Sequence, residues 1–179
     1  MDRSDANVTN GEIVTGRGFH LALSREETKQ LMARPEGAAV RQFVLELEAV
    51  RQASKSDLLL SLGNLWDAMH RSLTEGELDP LAGEFPLNHA ILGGKPLCQD
   101  DGFLISFVRP DMTPFIAEAI AHLKRDDFRQ RYFQLDPTSY QREPNQKEYE
   151  SVWNALQRVR DFYEAAAEDR TAVLFAAEL

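Results

Sequence analysis

The chain closes on Thr171 to Ala176, TAVLFA, an apolar run that follows almost directly on a helical pattern spanning Asn145 to Asp169. A strand sends successive side chains to opposite faces, so a run that is apolar throughout needs cover on both. The preceding segment sets Tyr149, Val152, Leu156, Val159 and Tyr163 on one side of a helix, with Trp153 and Phe162 widening that face, and leaves Glu148, Gln157, Arg160, Asp161 and Glu164 largely to solvent. A buried strand fed by a long amphipathic helix requires a sheet packed against helices.

Two more strands are expected. Gly18 to Leu23 alternates Phe19, Leu21 and Leu23 against His20 and Ala22, and Phe103 to Val108, FLISFV, reads as a buried strand stopped by Pro110. Ser24 with Glu27 forms a capping box that opens a helix running to about Ala33. Val40, Phe43, Val44, Leu47 and Val50 mark a second helix, which fades in the polar run Gln52 to Asp57. Thr113-Pro114 predicts an N-cap and first helical position, with Ile116, Ala119, Ile120 and Leu123 as the apolar face. Asp126 to Phe133 is expected to be helical, and Leu135 to Pro144 a loop. The order predicts a single α/β domain, a small mixed sheet flanked by several helices, over residues 18–179, after a flexible leader over residues 1–17.

Twenty basic residues against 29 acidic give a net charge of −9, and the excess is spread over both halves. No basic stripe tracks phosphates, which argues against nucleic acid and anionic membranes, and an acidic surface suits a basic protein partner. With 43% hydrophobic and 27% charged residues the composition is that of a soluble globular chain. No apolar run approaches the roughly 20 residues of a membrane helix. The N-terminus lacks a secretory signal and Cys98 is the only cysteine, so a bacterial cytoplasm is the expected location.

The stretch Leu60 to Leu97 organises the middle of the chain. Trp66, Met69, His70 and Leu73 fall at i, i+3, i+4 and i+7 and share one helix face. Gly76, Pro80 and Gly83 break the pattern, and a second apolar segment, Leu87 to Leu92, ends at Gly93-Gly94, where a helix C-cap of positive φ is expected. This combination, Trp66-Asp67-x-x-His70-x-x-Leu73-Thr74 followed by Pro86-Leu87-Asn88-His89-Ala90-Ile91-Leu92-Gly93-Gly94, resembles the YfbM-like family of uncharacterised bacterial proteins. The likeness runs from about Gly18 to Phe175. It departs from the family at Gly63-Asn64, where the family tends to carry Asp-Lys, and at Leu73-Thr74-Glu75-Gly76, where it carries Leu-Thr-Gly. The resemblance implies a fold and no reaction.

No catalytic signature is present. Trp66, His70, Thr74, Asn88 and His89 are the ligand-binding candidates: a cleft with Trp66 as stacking wall, Thr74 as donor and His70 shuttling a proton near neutral pH. The alternative, which the absence of a neighbouring nucleophile favours, makes His70 a structural histidine that donates to a carbonyl and fixes the Leu73-Thr74 turn. His70 and His89 lie near Asp67, Asp79 and Glu84, but no ligand spacing supports a metal, and none is expected. His20 and His122 read as ordinary polar-face residues, and Cys98 near Asp100 as a small buried hydrophobe. Gly93-Gly94-Lys95 is not a phosphate loop, and Gly16-Arg17-Gly18 precedes its strand, so no cofactor is expected. Most of the aromatics, a set that includes Phe19, Phe43, Phe85, Phe103, Phe107 and Phe115, sit at spacings that suit their elements and read as core. The irregular segment with Arg129, Tyr132, Tyr140 and Arg142 supplies partner-binding candidates, against the alternative of a loop packed on its own helix.

The expected function is therefore that of a non-enzymatic protein-binding module, an immunity or antitoxin-like protein in its most specific version. The runner-up is a small-molecule-binding protein or enzyme using the Trp66/His70 cleft. Homo-oligomer formation through the long C-terminal helix is compatible with either.

Overall fold

The computed structural model describes residues 16–100 and 102–179. The expected leader lies outside the described residues apart from Gly16 and Arg17. In chain order the elements are β1 (Gly18–Leu23), α1 (Arg25–Met32), α2 (Ala38–Ser54), β2 (Leu59–Gly63), α3 (Leu65–Leu73), a 3-10 turn (Leu87–Ala90), β3 (Lys95–Asp100), β4 (Phe103–Val108), α4 (Thr113–His122), α5 (Arg125–Phe133), α6 (Pro137–Tyr140), α7 (Gln146–Glu168) and β5 (Ala172–Glu178). The strands form a five-stranded sheet in the order β2-β1-β5-β4-β3, and every pairing is antiparallel.

The terminal apolar run is the middle strand, and its alternation divides two cores. Ala172, Leu174 and Ala176 face one cluster, in which Phe19, Leu21 and Leu23 of β1 meet Leu31 of α1 and Val40, Phe43 and Val44 of α2. Val173, Phe175 and Ala177 face the other, with Trp66 and Met69 of α3, Ile116 of α4, Phe128 of α5 and Val152, Leu156, Val159 and Tyr163 of α7. The sheet is thus the middle of three layers, which is why β5 carries no polar face. Fully burying an aromatic or branched side chain contributes roughly 1.5–3 kcal/mol, which makes β5, with β1 beside it, one of the best-insulated elements among the described residues.

Two strands were not expected. β2 has only Leu60 and Leu62 turned inward and emerges from a polar run. β3 is an edge strand that carries Pro96 and a register shift between Pro96 and Cys98, and only Leu97 and Cys98 are buried. Short or proline-bearing edge strands bury too little to leave an apolar alternation. The segment 135–144 contains one helical turn, α6, whose N-cap Asp136 accepts from the Thr138 amide. Thr113 is the first helical residue and not the cap, which is Met112; the Thr113 hydroxyl donates to the Pro110 carbonyl at 2.9 Å.

The turn from α7 into β5 is a Schellman motif. The Thr171 amide donates to the Ala166 carbonyl at 2.9 Å and the Arg170 amide to that of Ala167 at 3.2 Å. Arg170 takes the left-handed conformation, φ 53°, at the position where glycine is usual. A side chain there costs about 1–2 kcal/mol relative to glycine. No helix of the described residues is long and apolar enough to cross a membrane.

Candidate functional site

α3 is a frame for the loop that follows it. Trp66 and His70 have no accessible surface, so neither touches a ligand unless the core opens. The Trp66 indole donates to the Gly16 carbonyl at 2.9 Å and its ring packs 5.7 Å from that of Phe175. His70 Nε2 donates to the Asp79 carbonyl at 2.9 Å. That bond fixes the tautomer, and Nδ1 is buried without a partner. Burial holds the His70 pKa below its ordinary value, against the smaller opposing pull of the Asp79 carbonyl and the Asp67 charge. Arg71 pairs with Asp67 at 2.6 Å and also donates to the Gly76 carbonyl at 3.0 Å. The Thr74 hydroxyl donates back to the His70 carbonyl at 2.9 Å. From Asp67 to Thr74 the polar side chains are spent on the helix and on residues 76–79.

The loop closes on Thr74. Gly83 has φ 70°, and a Cβ built there would lie 2.8 Å from the Thr74 side chain, so only glycine fits without displacement. Asp79 caps the next turn by accepting from the Leu81 amide at 2.8 Å, and the Asn88 amide reaches the Glu84 carbonyl at 3.1 Å. Asn88 is buried and its Oδ1 accepts from His89 Nδ1 at 2.6 Å. Half-buried His89 is held below its ordinary pKa by desolvation. The expected positive φ at Gly93-Gly94 is absent. These glycines serve close approach instead: a Cβ on Gly93 would meet the Asn88 backbone at 2.8 Å, and one on Gly94 the Phe107 carbonyl at 2.6 Å.

Held in this way, the loop presents Leu81, 88% exposed, and Phe85, 44% exposed. The Phe85 ring stands edge-on to His89 at 5.0 Å and meets Phe115, 55% exposed, at 6.2 Å. These two stand outside the expectation that most aromatics are core. A cavity of about 350 Å³ lies beside Phe85, lined by Thr74, Glu75, Glu84 and Arg131 among others, and a second of about 350 Å³ lies against Pro86, Phe115, Glu118 and His122. Among the described residues, Glu75, Glu84 and Glu118 make no ion pair. Of the five ligand-binding candidates, only Thr74 lines this site, and His89 supports it from beneath. Phe115 could have been singled out from its position one residue before the apolar stripe Ile116, Ala119, Ile120, and Phe85 from its place between Gly83 and Pro86.

The partner-binding candidates are mostly structural. Tyr132 and Tyr140 are buried, and their hydroxyls donate to the two oxygens of Glu148 at 2.7 and 2.9 Å. Arg142 donates to Glu148 Oε1 at 3.0 Å. Desolvation and the carboxylate together push both phenols well above the usual tyrosine range. Of the four candidates only Arg129 is exposed; its guanidinium stacks 4.7 Å from the Phe133 ring.

His20 is no polar-face residue. It is fully buried, its ring lies 4.9 Å from Phe175, and Nε2 donates to the Ala90 carbonyl at 2.8 Å. Desolvation lowers its pKa to about 4. Cys98 is buried, its Sγ 3.4 Å from Asp100 Oδ2, and burial with the neighbouring carboxylate pushes the thiol up, away from the nucleophilic form. Among the described residues no three His, Cys, Asp or Glu side chains gather as a metal site.

No curated protein matches the sequence significantly. Among solved structures the chain is similar in fold to YfbM from Escherichia coli, a protein of unknown function, with a TM-score of 0.63 and 16% identity over 90% of this chain and 99% of that one. The model of the family described as a domain of unknown function, DUF1877, matches residues 16–176, and the chain belongs to that family.

Proposed function

We propose that the protein is a non-enzymatic binding module for a basic protein partner and that the Phe85–Phe115 ridge is its docking surface. The exposed aromatic pair carries this reading: two phenylalanines at 44% and 55% exposure touch each other on a surface where each could have been buried or replaced by a polar residue. Aromatic anchors with a polar rim are the usual anatomy of a protein-binding patch. Among the described residues the rim carries the carboxylates Glu75, Glu84 and Glu118, without an ion pair, against one such guanidinium, Arg131. The cavity between Glu75 and Glu84 has room for a lysine or arginine side chain. A second copy of this chain would set like charges opposite one another across such a patch, which favours a different, basic occupant.

Action in the cytoplasm, and neutralisation of the partner in the manner of an immunity or antitoxin protein, are the most specific form of the reading. The test is affinity capture from the source cells with the wild type beside the Phe85→Ala/Phe115→Ala and Glu84→Lys/Glu118→Lys variants. A basic protein held stoichiometrically by the wild type and lost from both variants is the expected result. Equal retention by wild type and variants, self-association in place of a partner, or no stoichiometric protein at all would contradict the reading.

A further inference from the structure

A further cavity, of about 410 Å³, lies on the opposite side of the sheet from α3, where α1 meets the end of β1 and the start of β5. Arg25, Lys29 and Arg170 line it together with Leu23, Met32 and Ala172. Three cations meet here in a chain with nine more acidic than basic residues, and among the described residues none of the three has a carboxylate within ion-pair distance. Eight other arginines, Arg17, Arg41, Arg51, Arg71, Arg109, Arg125, Arg142 and Arg160, pair with carboxylates, and the cations that do not, such as Arg34 and Arg158, are not gathered around a cavity with apolar walls. Arg170 also holds the left-handed backbone position at the end of α7, φ 53°, which glycine fills without strain. Its side chain is kept at a conformational disadvantage and lines this cavity.

We propose that this cavity binds a small amphipathic anion: a compact apolar body bearing a phosphate or a pair of carboxylates. The guanidinium forks of Arg25 and Arg170 match either group in a bidentate manner, Lys29 adds a point charge, and exposed Met32 and Pro110, backed by buried Leu23 and Ala172, take the apolar body. The volume lies within the roughly 300–1,000 Å³ of small-molecule sites. The site is separate from the Phe85–Phe115 ridge and stands or falls independently of it.

Isothermal titration at fixed ionic strength tests it with three probes: phenyl phosphate, phthalate and inorganic phosphate. The wild type is expected to bind phenyl phosphate or phthalate at least about tenfold more tightly than inorganic phosphate, because only the organic probes use the apolar wall. Which of the two binds better identifies the anionic group. Arg170→Gly is expected to weaken that binding about tenfold or more while the melting temperature stays level or rises, and Lys29→Gln to weaken it without loss of fold. No saturable binding of any probe, inorganic phosphate binding as tightly as the organic probes, or an Arg170→Gly variant that binds like the wild type would overturn the proposal.

Discussion

His20 departs furthest from what its neighbours in sequence imply. It sits on β1 opposite Phe19 and Leu21, and an alternating strand of that kind normally turns its other face to water. Here that face is covered by α7, and the ring lies among Phe162, Tyr163 and Phe175. The consequence is a pH dependence with a definite sign. The unfolded chain takes up a proton near pH 6.5 whereas the folded one resists it to about 4, so the stabilising contribution is complete above pH 6.5 and is lost as pH falls towards 4. At about 1.4 kcal/mol per decade the difference is on the order of 3 kcal/mol. Buried His70, also lowered, adds in the same direction. Urea midpoints across this window should fall with falling pH, and His20→Phe should flatten that slope; an unchanged slope in the variant would exclude His20 as its source.

The helical spacing of Trp66, His70 and Leu73 was legible because one face of a docked helix imposes it. That His70 donates to a backbone carbonyl was expected as well; which carbonyl was not, since every residue type offers one, and those of Asp79 and Gly76 serve His70 and Arg71. The same holds for the Phe85–Phe115 ridge: aromatics at exposed and buried positions look alike until the chain is folded. β2 and β3 were missed because an edge strand buries little, whereas β5 was unmistakable because it is buried on both faces. If α3 clamps the loop, the amides of Gly76 and Ala82, bonded to Arg71 and Asp79, should exchange hydrogen at least about tenfold faster in His70→Ala while β5 keeps its protection. Glu148 joins α5, α6 and α7 by accepting from Tyr132, Tyr140 and Arg142. Glu148→Ala strands two buried hydroxyls and should lower the unfolding free energy by roughly 2–4 kcal/mol in urea titrations. A loss under about 0.5 kcal/mol would place those hydroxyls in contact with water.

The whole molecule divides its labour between frame and surface. The antiparallel sheet holds α1 and α2 on one face and the larger helical layer on the other, and the segment that carries the family likeness runs through that larger layer and out into the 74–86 loop. On this account the Trp66-Asp67-His70-Arg71 segment is framework, and the exposed aromatics that the loop and α4 present are the docking surface proposed above. Urea unfolding of His70→Ala beside Phe85→Ala/Phe115→Ala separates the two roles most directly. His70→Ala should lose about 2–4 kcal/mol, through a core cavity and an unsatisfied Asp79 carbonyl. The double phenylalanine variant should lose less than about 1 kcal/mol, as surface substitutions do. A double variant as damaged as His70→Ala, or a His70→Ala protein as stable as the wild type, would contradict the division of frame from surface.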